Sequence, residues 1–241
     1  MNLQATTSKK SSLFERVEQY LPQVTKPGRY VGGEYNQVNK DWHAVRTHVA
    51  LIFPDIYDIG QPNLGLAILY DILNRQDDIC AERAYAPWLD MERILREQQL
   101  PLYGLESKHP LDEFDILAFT LPYEAIYTNV LNILDLSGLP LFSTERDENT
   151  PLVIAGGQAA FNPEPMSAFI DVFVIGEGEE VILEVVQAHQ AWKDSHRSRQ
   201  ELLEALADID GVYVPSLYQV SYNPDGTVAE ILPKSPQAKM P

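Results

Sequence analysis

The sequence predicts an α/β fold with a mainly parallel sheet, and two observations support this prediction. From about residue 47 onward, short apolar runs alternate with longer segments of helical period, as βα units do. The first run, HVALIF at 48–53, is continuous in apolar character after its histidine, which is typical of a strand covered by helices on both faces. Five strands, each with a crossover, between residues 47 and 192 indicate a doubly wound, flavodoxin-like sheet.

Each element has its own local signal. Ser12 and Glu15 have the spacing of a capping box, so a short helix should begin there and end before Pro22. The double glycine in RYVGGEYNQVNK, residues 29–40, predicts an irregular or hairpin-like loop. The predicted strands cover residues 48–53, 82–85, 115–120, 152–155 and 171–175. The predicted helices cover residues 63–73, 89–98, 124–136 and 179–192, the first of them with Asn63 as its N-cap.

The chain beyond residue 192 has a different character. A polar linker over 193–200 precedes a small predicted helix over 201–207, and the Asp-Gly of NPDG at 223–226 favours a hairpin turn. Residues 233–241 indicate a frayed tail or the start of a linker. We therefore expect three segments: a helix-and-loop lead-in over 1–46, whose polar residues 1–11 are predicted to be disordered, the sheet domain over 47–192, and a small α+β extension over 193–241.

Composition narrows the classes of function. Eighteen Lys and Arg against thirty-five Asp and Glu give a net charge of −17, which disfavours binding to nucleic acid or to an anionic membrane surface. The single cysteine, Cys80, excludes an internal disulfide and a cysteine-ligated zinc or iron–sulfur site within this chain. No apolar run is long enough to span a bilayer, and the first residues lack the apolar core of a secretory signal, so we expect a cytoplasmic protein.

The loops that follow the strands are the predicted ligand-binding positions, because open α/β sheets bind ligands beyond the carboxyl ends of their strands. These loops are PDIYDIGQPNLG at 54–65, LPYE at 121–124, GGQAA at 156–160 and GEGEE at 176–180. Glycine lets a ligand approach the backbone closely, so the loops could line one crevice. Strand-to-helix turns also need glycine and proline for their own geometry, and the sequence leaves both explanations open.

The loops do not match the known phosphate-binding patterns. GxxxxGK[ST] does not occur, and the turn after the first strand has no GxGxxG. Gly176 and Gly178 are spaced like the first two glycines of such a turn, but Glu177, Glu179 and Glu180 surround them with negative charge. A pyrophosphate would be repelled there, so a neutral or amide-rich ligand held by backbone amides fits better.

The sequence predicts neither catalytic nor metal-binding residues. There is no GxSxG elbow, and the five histidines show no metal-ligand spacing: His43, His48, His109, His189 and His196. His189 and His196 are predicted to be exposed, Cys80 to be a packing residue, and the aromatic residues Phe119, Tyr123 and Tyr127 to belong to the core. The acid pairs Asp55 with Asp58 and Glu177 with Glu179 are better explained by helix starts than by acid–base catalysis.

Several segments together resemble the N-terminal region of a family of uncharacterised radical SAM proteins. They are RYVGGEYNQVNKDW, FPDIYDIG, LGLAILYDILN, APWLDME, FTLPYEAIYTNVLNILDLSGLPL, IAGGQAAFNPEP, FVIGEGEE and IDGVYVPSLY, within about residues 29–218. The resemblance implies a B12-binding-like Rossmann domain in front of a radical SAM barrel. That barrel would carry a [4Fe–4S] cluster on a CxxxCxxC motif and cleave S-adenosylmethionine to a 5′-deoxyadenosyl radical. The motif does not occur in this chain, so we expect the barrel as its partner and no radical chemistry by the chain alone.

The resemblance also raises the question of cobalamin. B12 domains of this kind place DxHxxG after the first strand, and here Asp55 and Gly60 keep that spacing while Tyr57 stands in the place of the histidine. A phenol is a poor neutral ligand for cobalt, although histidine-free cobalamin binding is implied for many radical SAM relatives. The loop positions that match a corrinoid site are Asp55, Tyr57, Gly60, Thr120, Tyr123, Gly156, Gly157, Gly176 and Gly178.

Three functions remain open from the sequence. The first is an accessory domain of a radical SAM protein, which binds cobalamin or covers the mouth of the barrel. The second is a docking module with an empty crevice, whose exposed apolar residues would cluster on the face that meets the barrel. The third is a small flavin- or nucleotide-binding enzyme, which the acidic loop at 176–180 and the missing phosphate loop disfavour.

Overall fold

The computed structural model describes residues 12–195 and 197–238. Three predictions concern residues outside this part of the chain. They are the disorder of residues 1–11, the exposure of His196 and the fraying of the last three residues of the tail. The helices are α1 (Leu13–Glu18), α2 (Tyr57–Gly60), α3 (Leu64–Asn74), α4 (Leu89–Glu97), α5 (Tyr127–Leu136), α6 (Val181–Ser195) and α7 (Arg199–Ala207). The strands are β1 (Thr47–Phe53), β2 (Ile79–Tyr85), β3 (Ile116–Thr120), β4 (Leu152–Gly156), β5 (Val172–Val174), β6 (Val212–Tyr213), β7 (Tyr218–Tyr222) and β8 (Val228–Pro233).

The main sheet has six strands in the order β2-β1-β3-β4-β5-β6, and β7 and β8 form a separate antiparallel pair. Strands β1 to β5 are all parallel, which confirms the predicted flavodoxin-like, doubly wound sheet. The strand order reverses between β1 and β3. Strand β6 pairs antiparallel with β5, and the sequence analysis missed it because two residues, Val212 and Tyr213, carry no detectable period.

Helices cover the sheet on both faces, which explains why the strands are apolar without alternation. In β3, Leu117 packs in the cluster that contains α4 and α5, whereas its neighbour Ile116 packs in the cluster that contains α3, α6 and α7. Both side chains are fully buried. Within the described residues, no helix is both long enough and apolar enough to cross a membrane.

The N-terminal segment packs against the sheet domain. The predicted capping box is present, since Ser12 N donates to Glu15 Oε2 at 2.8 Å and Glu15 N donates to Ser12 Oγ at 3.3 Å. Val17, Val24 and Tyr30 are buried in the same core cluster as α4 and α5. The loop over 29–40 contains turns and no strand, as predicted. The division of the chain at residues 46 and 192 stays a prediction.

The remaining local signals are confirmed with small shifts in their bounds. Asn63 Oδ1 accepts a hydrogen bond from Leu66 N at 2.9 Å and therefore caps α3. The helix predicted from residue 124 begins as a 3-10 turn, Glu124–Ile126, before α5. The hairpin closes at Gly226, whose φ is 84°. The prediction of a frayed tail is wrong as far as Ala238, which is buried.

The middle of the outer edge of β2 is capped, although β2 is the last strand on its side of the sheet. The side-chain amide of Asn74 binds both the carbonyl and the N–H of Ala81, at 3.0 and 3.1 Å. Glu106 Oε2 accepts from Arg83 N at 2.8 Å, and Leu105 N donates to Arg83 O at 2.7 Å. Lys40 Nζ binds Ile79 O at 2.5 Å. The chain itself therefore occupies both outward-facing backbone groups of Ala81 and of Arg83 and the carbonyl of Ile79.

Candidate functional site

A cavity of about 340 Å³ opens at the carboxyl edge of the sheet, above β3, β4 and β5. Five of the nine residues predicted as a site line it: Thr120, Gly156, Gly157, Gly176 and Gly178. Thr120 and Gly156 end β3 and β4, and the other three residues lie in the loops after β4 and β5; the sheet order brings these strands together. The cavity thus lies at the edge where the sequence predicted a ligand, but it is displaced from the reversal point toward β5.

Gly157 is required by contacts between two loops. Its φ is 109°, and a Cβ built there would lie 2.8 Å from the carbonyl oxygen of Leu121. Leu121 N also donates to Gly156 O at 2.7 Å, and Ala159 N donates to Leu121 O at 2.9 Å. The glycine therefore lets the loop after β4 pack on the loop after β3, and its presence needs no ligand.

Gly176 and Gly178 have a different environment, in which the backbone is left bare beside the cavity. Gly176 has a φ of 112°, and no atom lies within 4 Å of the position of its missing Cβ. A Cβ on Gly178 would make an ordinary contact of 3.7 Å with Leu69. The positive φ explains the glycine at Gly176, whereas neither packing nor backbone conformation demands one at Gly178. Gly178 is therefore the residue whose small size favours a ligand close to the backbone.

The walls of the cavity are apolar and its rim is acidic. Leu69, Ile154 and Ile182 contribute aliphatic surface, and Glu177 and Glu179 contribute carboxylates. None of the described residues that line the cavity is a lysine, an arginine or a histidine. The cavity therefore suits an uncharged or cationic group held by apolar contact and by peptide groups, and it offers neither a cation for a phosphate nor an imidazole for a metal.

Sequence reasoning missed the two walls that helices provide. Gly65 and Leu69 line the cavity from α3, and Ile182 lines it from the first turn of α6. A signal was present, since residues 65 and 69 are one helical turn apart and share a face. Gly65 ends the predicted loop 54–65, whereas a search confined to loops could not find Leu69 and Ile182.

Asp55 and Tyr123 lie outside the cavity and contact each other. The hydroxyl of Tyr123 donates to Asp55 Oδ2 at 3.2 Å, which joins the loops after β3 and β1 at the point where the strand order reverses. The side chain of Tyr123 is 39% exposed, so its predicted place in the core is wrong, whereas Phe119 is buried as predicted. A tyrosine three residues past a strand end reaches the loop surface and not the core.

Tyr57 and Gly60 also lie away from the cavity. The hydroxyl of Tyr57 donates to Glu34, and its ring packs edge-on against Tyr85 at 5.4 Å. Burial and the contact with Glu34 raise the pKa of Tyr57 to about 12, so the phenol remains protonated at neutral pH. A Cβ on Gly60 would lie 2.7 Å from the Tyr85 ring and 2.9 Å from Phe53 Cβ. The residues that match DxHxxG therefore serve packing here.

The other polar residues singled out by the sequence are structural. Hydrogen bonds from Lys26 and Arg29 lower the pKa of Asp58 to about 2, so this carboxylate ties the N-terminal segment to α2. Cys80 is buried, as predicted, and burial raises the pKa of its thiol to about 12. The second acid pair, Glu177 with Glu179, lies at the cavity rim described above.

His189 contradicts its prediction, because only 4% of it is exposed. It lies one turn after Val185 and Val186, on the face of α6 that packs against the sheet. Burial lowers the pKa of His189 to about 4. The helical spacing to two valines was a signal that this histidine faces inward.

The chain is similar to known proteins over part of its length. A family model described as radical SAM proteins, N-terminal, matches residues 65–215. The chain is 25% identical over 142 residues to an uncharacterized protein of Methanocaldococcus jannaschii, covering 58% of this chain and 26% of that protein.

Among solved structures, the chain is similar to the radical S-adenosylmethionine methyltransferase TsrM from Kitasatospora setae, solved with a tryptophan substrate and a SAM analogue. That match has a TM-score of 0.43 and 16% identity and covers 80% of this chain and 31% of TsrM. The chain thus spans about a quarter of the length of the first of these relatives and about a third of the second. Since the family model covers more than half of the chain, the protein belongs to the family of N-terminal regions of radical SAM proteins.

Proposed function

We propose that this chain is an accessory domain that holds a corrinoid at the carboxyl edge of its sheet, beside the radical SAM barrel that the family implies. The observation that carries this proposal is the glycine-lined cavity above β3, β4 and β5. The cavity occupies the edge at which doubly wound sheets bind ligands. It lies largely within residues 65–215, the part of the chain that matches the radical SAM family.

The lining fits the organic part of a corrinoid and not its metal. The ring carries neutral amide side chains, which the exposed peptide group at Gly176 can meet by hydrogen bonds. The carbonyls of Gly156 and Gly178 already accept hydrogen bonds from Leu121 N at 2.7 Å and from Ile182 N at 2.9 Å. Leu69 and Ile182 supply apolar contact. When bound, a corrinoid supplies a cobalt centre that can carry and transfer an alkyl group. This chain would bind and orient the ring, with no imidazole among the cavity residues to ligate the cobalt.

The same edge of the sheet supports the barrel as partner. Large apolar side chains follow β1 to β4 and are exposed to solvent: Ile59, Leu64, Trp88, Leu89, Tyr123 and Phe161. Leu64 and Leu89 are both 71% exposed at the first positions of α3 and α4. Such a concentration at one edge favours contact with another protein surface. We propose that the barrel, with its [4Fe–4S] cluster and S-adenosylmethionine, covers this edge and closes the cavity.

A docking module with an empty crevice is the second candidate, and the exposed apolar side chains alone favour it. It requires no ligand in the cavity, whereas the first proposal does. Whether the purified chain retains a corrinoid therefore distinguishes the two candidate functions.

Hydroxocobalamin added to the purified chain, followed by gel filtration and a visible spectrum, tests the proposal. Gly178→Phe should abolish retention, because the new side chain would fill the cavity next to Leu69 without a strained φ. Gly28→Phe is the matched control, since it places the same ring in open space far along the chain. We expect about one corrinoid per chain for the parent and for Gly28→Phe.

Two outcomes would contradict the proposal. A colourless parent protein would leave the docking module as the function. Equal retention by Gly178→Phe, with an unchanged circular dichroism melt, would place the corrinoid elsewhere on the chain.

A further inference from the structure

We propose that a separate cavity, at the amino edge of the sheet, binds a small oxyanion of the phosphate class. This cavity has a volume of about 280 Å³ and lies at the opposite edge of the sheet from the glycine-lined cavity. Ile170 and Asp171 line it immediately before β5, and Arg199 and Gln200 line it from the first turn of α7. The inference is independent of the proposed function.

The charge buried beside this cavity is positive. Two cavity-lining residues, Arg146 and Arg199, share one carboxylate, that of Asp171. The three side chains are 0%, 8% and 2% exposed, respectively. Asp171 Oδ2 lies 3.1 Å from Arg146 Nη1 and 2.9 Å from Arg199 Nη2. Among the ion pairs of the described residues, one of the two positive charges is therefore left without a buried counter-ion.

Hydrogen bonds to the backbone leave one donor unused on each guanidinium group. Carbonyl groups of the neighbouring loops accept from the two arginines: Pro140, Leu141 and Phe169 from Arg146, and Asp147, Thr150 and Pro151 from Arg199. Within the described part of the chain, Arg146 Nη1 and Arg199 Nε are buried without a hydrogen-bond acceptor. Tying the loops together thus explains most of the donors but not these two, and a buried charged donor without an acceptor is unfavourable.

The protonation equilibrium of Arg146 reflects the same excess of positive charge. Burial lowers the pKa of Arg146 below its ordinary value, and Arg199 lowers it further, although Asp171 and Glu145 act in the opposite direction. Glu145 is exposed, so solvent and salt screen its charge. The acids of the chain therefore do not compensate the buried charge fully, and an anion in the cavity would.

The rest of the lining suits an oxyanion. Ser143, Thr144 and Ser216 contribute hydroxyl groups, and Asp171 is the only acidic residue among the described residues that line the cavity. Lys234 Nζ donates to Ser216 O at 3.3 Å, so a further cation stands beside the cavity. The N-terminus of α7, a helix of nine residues, adds partial positive charge at Arg199.

The arrangement of these donors favours phosphate over a carboxylate. They belong to two separate guanidinium groups and to hydroxyl groups on different segments, so they approach the cavity from several directions. A tetrahedral oxyanion has acceptor oxygens in several directions, whereas a carboxylate accepts in one plane. The volume is close to the lower end for small-molecule sites, roughly 300 Å³, which is enough for a phosphate group with a small substituent.

Equilibrium dialysis of the purified chain against radiolabelled inorganic phosphate measures binding directly. We expect about one phosphate per chain with a dissociation constant of about 1 mM or lower. Thermal unfolding at constant ionic strength, with chloride replaced by phosphate, gives a second readout. At twenty times the dissociation constant, phosphate should raise Tm by about 4–7 °C. Acetate should raise it much less. Glycerol 3-phosphate then distinguishes the sources, since tighter binding than inorganic phosphate would indicate a phosphate monoester as the ligand.

A matched pair of variants locates the site. Ser143→Glu and Ser143→Gln both fill the cavity to a similar extent, but only Glu brings a carboxylate to the two arginines. Both should abolish phosphate binding, and Ser143→Glu should unfold several degrees above Ser143→Gln because it supplies the missing counter-ion. Gln219→Glu adds the same charge at an exposed position of β7 and should leave phosphate binding unchanged.

Three results would overturn the inference. The first is a folded parent protein that binds no phosphate and melts at the same temperature in phosphate and in chloride. The second is undiminished phosphate binding by both Ser143 variants, which would place the anion elsewhere. The third is acetate binding as tight as that of phosphate, which would contradict the phosphate class. None of these results bears on corrinoid retention at the other edge of the sheet.

Discussion

Tyr123 and Asp55 form a hydrogen bond of 3.2 Å that bridges β1 and β3 where the strand order reverses. In an open sheet this point is the usual place for a crevice. Here the two loops are joined across it, and the cavity lies on the far side of β3, above β4 and β5. The topology therefore predicts a ligand at a point that this hydrogen bond closes. The space that the side chains leave free lies next to it.

Removing this bridge should loosen the two loops without unfolding the protein. We expect Tyr123→Phe to reduce the free energy of unfolding by less than about 1 kcal/mol, because the hydroxyl is exposed. Amide hydrogen exchange at Asp55 and Ile56 should rise several-fold. Tyr127→Phe is the control, since its hydroxyl binds Ala159 O within a different pair of loops. Unchanged exchange in Tyr123→Phe would show that the hydrogen bond does not restrain the loop.

Gly157 and Gly176 should respond differently to alanine. Both have a φ above 100°, so Ala strains the backbone at either site. Only at Gly157 does the new Cβ also meet backbone, the Leu121 carbonyl at 2.8 Å. We expect Gly157→Ala to lose about 2–4 kcal/mol in urea unfolding and Gly176→Ala about 1–2 kcal/mol. Equal losses at the two positions would contradict the steric role assigned to Gly157.

His189 should make stability depend on pH in the mildly acidic range. Burial depresses its pKa to about 4 in the folded protein, against about 6.5 in the unfolded chain. Between these values the unfolded chain binds more protons, so stability is fully present above pH 6.5 and falls as the pH drops toward 4. The loss should approach about 3 kcal/mol.

Urea unfolding from pH 4 to 7 measures this effect. His189→Gln should flatten the dependence, and His43→Gln, at an exposed position, should not. A slope that survives in His189→Gln would assign the dependence to other groups.

Asp171 should be the costliest carboxylate to neutralise. It accepts hydrogen bonds from Val153 N at 2.8 Å and Arg199 Nη2 at 2.9 Å, and it lies 3.1 Å from Arg146 Nη1. Asp171→Asn leaves two buried guanidinium groups without a counter-ion and should cost about 3–5 kcal/mol. Asp194→Asn, which removes the exposed partner of Arg46, should cost less than about 0.5 kcal/mol. Thermal unfolding of the two variants side by side checks the difference.

The parts of the fold that sequence reasoning predicted are those with local causes. Asn63 caps α3 by a contact three residues away, and the Asp-Gly turn closes the hairpin within four residues. Four of the five parallel strands follow from two-sided burial, which makes their centres apolar without alternation; β2 departs from this pattern at Glu82 and Arg83. Each of these signals lies within a short stretch of chain.

The parts that failed depend on contacts distant in sequence. Tyr57 turns toward Glu34 in an irregular loop, and no spacing predicts that partner. The cavity is walled by Leu69 and Ile182, which come from helices that the sheet order brings together. Strand β6 is defined by its pairing with β5, because a run of two residues is too short to identify a strand even though valine and tyrosine favour strands.

The capped edge of β2 limits how copies of this chain can associate. An open strand edge is a template on which another chain can add its own strand, and repeated addition leads to fibrils. Here Lys40, Asn74 and Glu106 already occupy the outward-facing groups of Ile79, Ala81 and Arg83. Once these contacts have formed, a strand of another molecule finds these groups of β2 already bonded. Growth of a fibril by addition of strands to β2 is therefore disfavoured.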